Sequence, residues 1–291
     1  MAIMSLRPPH LIVDFHTHIF PPDVQDNRED YLRADRTFAE MYDNPKAKIA
    51  TADDLLKSME QAEVDVSVAM GFGWADHATC VRHNDYLLET AAKSGGRIVP
   101  FCTVNPALEA GEEEAVRCAQ GGARGLGELR PDSQGWDLNG DAGEALAHTA
   151  QRLGLALLFH VSEPVGREYA GKHGGDLSSF YHFATAHPTL PVVGAHLAGG
   201  LPFYAPMPEV REAFEHIYVD TAAQRLLYDH TAYELLIKMI GVEHILFGSD
   251  YPLVSQARQI EELRAGVFST DDLTCILGAN AERLLAAPAG K

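Results

Sequence analysis

The sequence predicts an α/β protein, a (β/α)8 TIM barrel with a C-terminal helical extension, and three observations carry that prediction. Eight short apolar, β-branched runs recur along the chain, most of their starts roughly 25–35 residues apart, the length of a strand–helix unit. Longer amphipathic segments separate them. The runs are apolar nearly throughout, which is the pattern of parallel strands covered on both faces. An open doubly wound sheet is the alternative. No G-x-G-x-x-G follows the first run, and Gly71-Phe72-Gly73 after the second is too weak a signal to replace it.

The strands are expected at 11–15, 64–70, 98–104, 123–129, 155–160, 191–196, 217–221 and 245–248. Between the first two lies 21–50, the longest stretch without a periodic pattern. A loop of that length in a compact domain is usually functional, so it is expected to form part of a lid or substrate pocket. Thr51 and Asp54 resemble a capping-box start, after which Leu55, Leu56, Met59 and Ala62 make one apolar helical face. Further helices are expected at 112–120, stopped by Gly121-Gly122, and at 143–153, stopped by Gly154. The last, 271–277, has Thr270 available as its N-cap, and a polar, helix-prone tail, 279–287, follows it.

The 291 residues fit one barrel domain over 1–291, since such barrels commonly run to about 250 residues. With 46% hydrophobic and 22% charged residues the chain can bury a sizeable core. Its 41 acids against 23 bases give a net charge of −18, which repels phosphate backbones and argues against nucleic acid as a partner. Cys80, Cys102, Cys118 and Cys275 are scattered, with no Cys-x-x-Cys pair, so neither a disulfide framework nor a cysteine zinc knuckle is expected. Residues 1–11 contain Pro8, Pro9 and His10 and lack the apolar core of a signal peptide. No run approaches the ~20 apolar residues that span a bilayer. A cytoplasmic protein acting on a small molecule, without a membrane partner, is the resulting expectation.

The chemistry is suggested by where the strands end. Val13-Asp14-Phe15-His16-Thr17-His18 places two histidines at positions i and i+2, on one side of an extended backbone, where both imidazoles can reach one ion. Glu128, His160, His196 and Asp250 close the fourth, fifth, sixth and eighth runs. In a parallel barrel these ends converge on the face where barrel active sites lie. Each residue alone has an ordinary explanation: a core histidine bonded to backbone, a glutamate paired with Arg130, an aspartate in a turn. Together they would require several unrelated costly burials at one barrel end, which one or two divalent metal ions explain at once. The set is nitrogen and oxygen without sulfur, which suits Zn²⁺ first, and also Mn²⁺, Fe²⁺ or Ni²⁺.

These residues identify a resemblance. The stretches 13–21, Gly194-Ala195-His196-Leu197-Ala198-Gly199-Gly200 and 245–252, with the closing Gly278-Ala279-Asn280-Ala281-Glu282-Arg283-Leu284-Leu285, resemble the amidohydrolase superfamily. The similarity covers nearly the whole chain and points to the amidohydrolase-related branch that includes aminocarboxymuconate-semialdehyde decarboxylase. It implies that His16, His18, His160 and Asp250 hold the principal metal. His196 is then a ligand of a second metal or a catalytic group, and Asp250 doubles as catalytic proton shuttle. Glu128 resembles the bridging glutamate of two-metal members and, with His196, would complete a second site. Family habit also allows a homodimer.

The leading expectation is therefore a metal-dependent hydrolase of a C–N, C–O ester or lactone bond. It would use metal-activated hydroxide and Asp250 as proton shuttle. The alternative is a non-oxidative decarboxylase with a mononuclear site, His196 assisting protonation and an arginine holding the carboxylate. From another class comes a catalytically silent metal-binding barrel, against which the complete ligand set argues. Arg130, two residues beyond Glu128, is the candidate for binding an anionic substrate group, with an internal pair to Glu128 or Asp132 equally open. Tyr204, Trp136, His173 and Tyr169 are candidate pocket residues, Tyr204 first among them. Specificity is expected in the loops 21–50 and 162–176.

Overall fold

The computed structural model describes residues 11–266 and 268–286, so all but the last residue of the 1–11 segment and the end of the 279–287 tail lie outside it. Its eight strands are β1 (Val13–His18), β2 (Val66–Met70), β3 (Ile98–Cys102), β4 (Gly125–Leu129), β5 (Ala156–Phe159), β6 (Val192–Gly194), β7 (Ile217–Asp220) and β8 (Ile245–Leu246). They pair in chain order, every pair parallel. Past β8 the chain runs on beside β1 and closes the barrel. Phe15 N donates to Phe247 O (2.7 Å), Asp250 N to His16 O (2.9 Å) and His18 N to Tyr251 O (2.7 Å). Gly248 is needed there, because a Cβ on it would meet His16 Cβ at 2.9 Å.

Side chains alternate between two apolar layers. Val13, Phe15, Val68, Met70, Phe101, Leu158, Val193 and Leu246 pack together inside the barrel. Ala69, Leu126, Leu157, Phe159, Val192 and Ile245 face the helices, where Leu55, Met59, Leu146 and Phe180 cover them. At about 25 cal/mol per Å² of apolar surface buried, these two layers supply the main drive to fold.

The alternation is broken at two places. Pairing slips by one residue between Asp14 and Thr17 in β1 and between Leu126 and Leu129 in β4. A bulge re-aims the side chains that follow it. In β1 it lets His16 and His18 share the mouth although Phe15 already points inward. In β4 it turns Glu128 inward although Leu126 faces the helices.

The helix of Ala52–Ala62 starts on the expected capping box of Thr51 and Asp54. The helices Gly111–Gln120 and Asp141–Leu153 follow, the second ending on Gly154 at φ 64°. The stretch 21–50 departs from the irregular loop expected of it. It folds into three short helices, Pro22–Asp26, Arg28–Ala34 and Arg36–Tyr42, whose five to seven residues are too few to show a periodic face. Phe38 and Tyr42 join them to Phe20, Phe72 and Trp74 in an aromatic cluster beside the barrel mouth. At the C-terminus the cap is Ser269, in a capping box with Asp272, and Thr270 is the first helical residue. That helix passes through a π-helical turn, Cys275–Ala279, into Asn280–Ala286. No helix among the described residues is long and apolar enough to cross a membrane.

Candidate metal centre

The six candidate ligands singled out from the sequence meet at the barrel mouth, in two triads. His16, His18 and Asp250 form one, and Glu128, His160 and His196 the other. His160 reaches the mouth by plain alternation after Ala156 and Leu158. His196 follows β6 on a left-handed turn (φ 56°, ψ 51°), and Asp250 likewise has a positive φ of 62°. Such conformations cost free energy in non-glycine residues and cluster at functional sites.

In the first triad, His16 Nε2 lies 3.1 Å from His18 Nε2, and Asp250 Oδ1 lies 3.7 and 3.6 Å from those two nitrogens. The other ring nitrogen of His16 faces Asp220 Oδ2 at 2.7 Å. A carboxylate only accepts, so Asp220 fixes the proton on Nδ1 and turns Nε2 toward the centre. Burial alone would lower the pKa of His16. The Asp220 and Asp250 carboxylates outweigh it and lift the pKa to about 9. His18 moves the other way, lowered by burial and then by the charge on His16. Its Nδ1 is buried with no partner among the described residues.

The second triad is held by Glu128. His160 Nδ1 donates to Glu128 Oε1 (2.9 Å), and Ser162 Oγ completes the ring by donating to Nε2 (2.9 Å). His196 Nε2 lies 3.4 Å from the same Oε1, while its Nδ1 donates to Ala222 O (3.0 Å). Burial, and then the charge of Arg130, lower the pKa of His160 to about 4, so this imidazole is neutral. Burial also acts to lower His196, but the hydrogen bond to Glu128 and the Asp250 charge raise it to about 10. Glu128 Oε2 is 3.6 Å from His18 Nε2 and links the two triads.

This donor set fits a divalent ion. Two imidazole nitrogens of the first triad face each other at hydrogen-bond distance, one of them on a ring whose other nitrogen is orphaned, beside two buried carboxylates. The surrounding carboxylates raise the affinity of His16 and His196 for protons. Metal binding would release such protons. Four imidazoles and two carboxylates, with no thiolate, suit first-row divalent metals.

Arg130 and Tyr204 take other places. The alternation that would set Arg130 beside Glu128 ends there, because Pro131 opens a helical turn, Pro131–Gln134. The Arg130 side chain is buried in the wall. Its guanidinium donates to the carbonyls of Gly171 and His173 and touches Met41 Sδ at 3.0 Å. It ties the helix Arg36–Tyr42 to the loop after β5, and Glu40 adds a second tie by accepting from Gly171 N (2.9 Å). Tyr204 sits half-exposed in the turn Leu201–Tyr204, outside the cavity. Trp136 is buried in the outer core, and His173 is exposed. Tyr169 does line the cavity.

That cavity, about 260 Å³, opens over both triads. His18, Glu128, His160, His196 and Asp250 form its floor, and Met41, Ala170, Ala223, Leu226, Leu227 and Leu253 make apolar walls. Sequence reasoning missed Asp220, Met41, Arg167 and the leucines. Asp220 closes the seventh strand as the candidate ligands close theirs, and that position is its signal. Met41 and the leucines carry none outside the folded chain.

A family model described as amidohydrolase matches residues 13–286. The chain belongs to the amidohydrolase family. No curated protein matches its sequence. Among solved structures, it is similar to 5-carboxyvanillate decarboxylase from Sphingomonas paucimobilis, at 18% identity and a TM-score of 0.79, covering 96% of this chain and 99% of that one. It is also similar to 2,6-dihydroxybenzoate decarboxylase from Rhizobium (18%, TM-score 0.72, 95% and 98% covered). A third is dihydroxybenzoic acid decarboxylase from Polaromonas sp. JS666, which holds manganese and 2-nitroresorcinol (16%, TM-score 0.74, 95% and 97% covered). At these identities the likeness establishes the fold. Fold alone does not establish chemistry.

Proposed function

We propose that this amidohydrolase-family chain is a metal-dependent, non-oxidative decarboxylase of a small carboxylic acid, in place of the hydrolase that led the sequence reading. The observation that carries it is the pairing of a metal-type floor with apolar walls in one small cavity. Such walls strip water from a bound carboxylate, which favours the loss of its localised charge as CO2. The decarboxylase likeness of the three similar structures points the same way.

His16, His18 and Asp250 would hold one divalent ion, with His160 as the fourth ligand. When bound, that ion supplies positive charge to the substrate's oxygens. Asp220 and Glu128 keep the imidazoles aimed. The carbon–carbon bond to the carboxylate breaks, CO2 leaves, and the electron pair left on carbon takes a proton from His196 Nε2. The hydrogen bond from His196 Nδ1 to Ala222 O keeps that nitrogen facing the cavity.

The test is incubation of manganese-loaded protein with hydroxybenzoic and muconate-like acids in D2O, following CO2 and the product by NMR. Release of CO2 with one deuterium placed on the former carboxyl-bearing carbon is the expected result. Turnover of lactones, amides or esters with no CO2 from any acid would overturn it. One observation favours that hydrolytic reading: Glu128, His160 and His196 make a second cluster able to hold an ion, and two ions together clamp attacking and leaving oxygens.

A further inference from the structure

The cavity carries charge at two places. Its floor has the carboxylates and imidazoles already described. At its rim stands Arg167, the one arginine or lysine among its lining residues. The position of Arg167 is built. Lys172, itself buried, donates from Nζ to the carbonyls of Gly166 (3.3 Å) and Arg167 (3.0 Å), which fixes the backbone. The guanidinium reaches across the mouth from the loop after β5 to the loop after β7, where Nη2 donates to Leu226 O at 2.6 Å.

No acid satisfies it. Among the described residues, Glu168 pairs with Lys172 and His173, and Glu163 accepts from Tyr169. Arg167 is left with a backbone carbonyl alone, in a chain with 41 acids and a net charge of −18. Such a chain repels anions at long range, so a local cation at the mouth matters more for admitting one.

We propose that Arg167 determines specificity by holding a second anionic group of the substrate, so that the cavity takes a small dianion. One carboxylate lies on the floor and the other acidic group lies at the rim, with an apolar middle against Leu226, Leu227, Leu253 and Met41. A cavity of about 260 Å³ sits near the small end of ligand sites, which start at about 300 Å³, and so favours one ring or a short chain between the two charges. The proposal rests on the reading of this cavity as the site of a carboxylic acid, but not on what happens to that acid.

The test is therefore binding. Calorimetric titration of manganese-loaded protein would compare benzoate with benzene-1,3-dicarboxylate. The dicarboxylate is expected to bind about 10-fold more tightly, as one charge-assisted contact at a partly exposed rim allows. R167Q is expected to remove that preference, and R167K to keep part of it. Raising salt should shrink it in the wild type, since the pair is solvent-facing. Equal affinity of the two acids, failure of both to bind at millimolar concentration, or a preference that survives in R167Q contradicts the proposal. If the preference is found but no acid loses CO2, the decarboxylase reading falls and the assignment of Arg167 stands.

Discussion

The two triads at the barrel mouth are made of the same residue types but are satisfied differently. In the Glu128 triad the carboxylate bonds His160 directly and approaches His196, while Ser162 and Ala222 occupy the remaining ring nitrogens. Every polar atom of its two imidazoles has work to do within the protein. In the His16 triad the support comes from outside, through Asp220, and the inward nitrogens face each other, Asp250 and, from His18, the edge of Glu128, with none of these carboxylate contacts at hydrogen-bond distance. The first arrangement is closed, and the second is open toward a ligand that the protein does not itself supply. Open donor atoms on rigid strand ends mark where a metal binds most tightly. The closed triad serves mainly to orient and to move protons, and His160 would join the ion only by giving up its bond to Ser162.

That contrast can be broken by substitution. The largest effect is expected from His16→Ala. It should cost well over about 100-fold in metal affinity, more than the 10–100-fold typical of residues that only orient ligands. Asp220→Asn and Glu128→Gln should each fall within that 10–100-fold range and leave the stoichiometry at one ion per chain. Competition with a chromogenic chelator measures all three. A Glu128→Gln protein that loses its ion as completely as His16→Ala would make Glu128 a ligand and erase the distinction between the triads.

A pH dependence of stability comes next. Trp74 Nε1 donates to His83 Nδ1 (2.9 Å), and His83 Nε2 donates to Ile19 O (2.7 Å), so this buried ring must be neutral. Burial lowers its pKa from 6.5 to about 4. As pH falls the unfolded chain takes the proton first. The stability His83 contributes is thus complete above pH 6.5 and is lost as pH drops toward 4. At 1.36 kcal/mol per unit this amounts to about 3 kcal/mol. Denaturant titrations at several pH values should show His83→Phe, less stable at pH 7, losing less than the wild type over that window. The smallest effect is expected from Tyr204→Ala. This side chain is outside the cavity and half-exposed, so stability should change by less than about 0.5 kcal/mol and substrate affinity not at all.

The comparison also shows what the sequence could reveal. Strand ends were legible because continuous apolar runs stop at a polar residue, and His16, His18, Glu128, His160, His196 and Asp250 all stand at such stops. The bulges in β1 and β4 were not legible, since a one-residue slip in pairing leaves no trace in composition. Arg130 departs from strand alternation for a related reason: Pro131 turns the chain directly after it. The helices between Pro22 and Tyr42 are too short for a periodic signal, and their aromatic anchor depends on Phe72 and Trp74, which arrive from the next strand's loop. Asp220 shows the limit of reading residues singly. A lone aspartate before Thr221 resembles a turn until His16 is set beside it.

The most direct test of the central claim is metal content per chain, by plasma mass spectrometry, on protein purified without chelator and then offered manganese or zinc. One equivalent, lost in His16→Ala while the fold persists by circular dichroism, is the predicted result. Two equivalents would mean that the Glu128 triad is itself a metal site and would return the chain to hydrolysis. Protein that stays metal-free after incubation would contradict the account at its root.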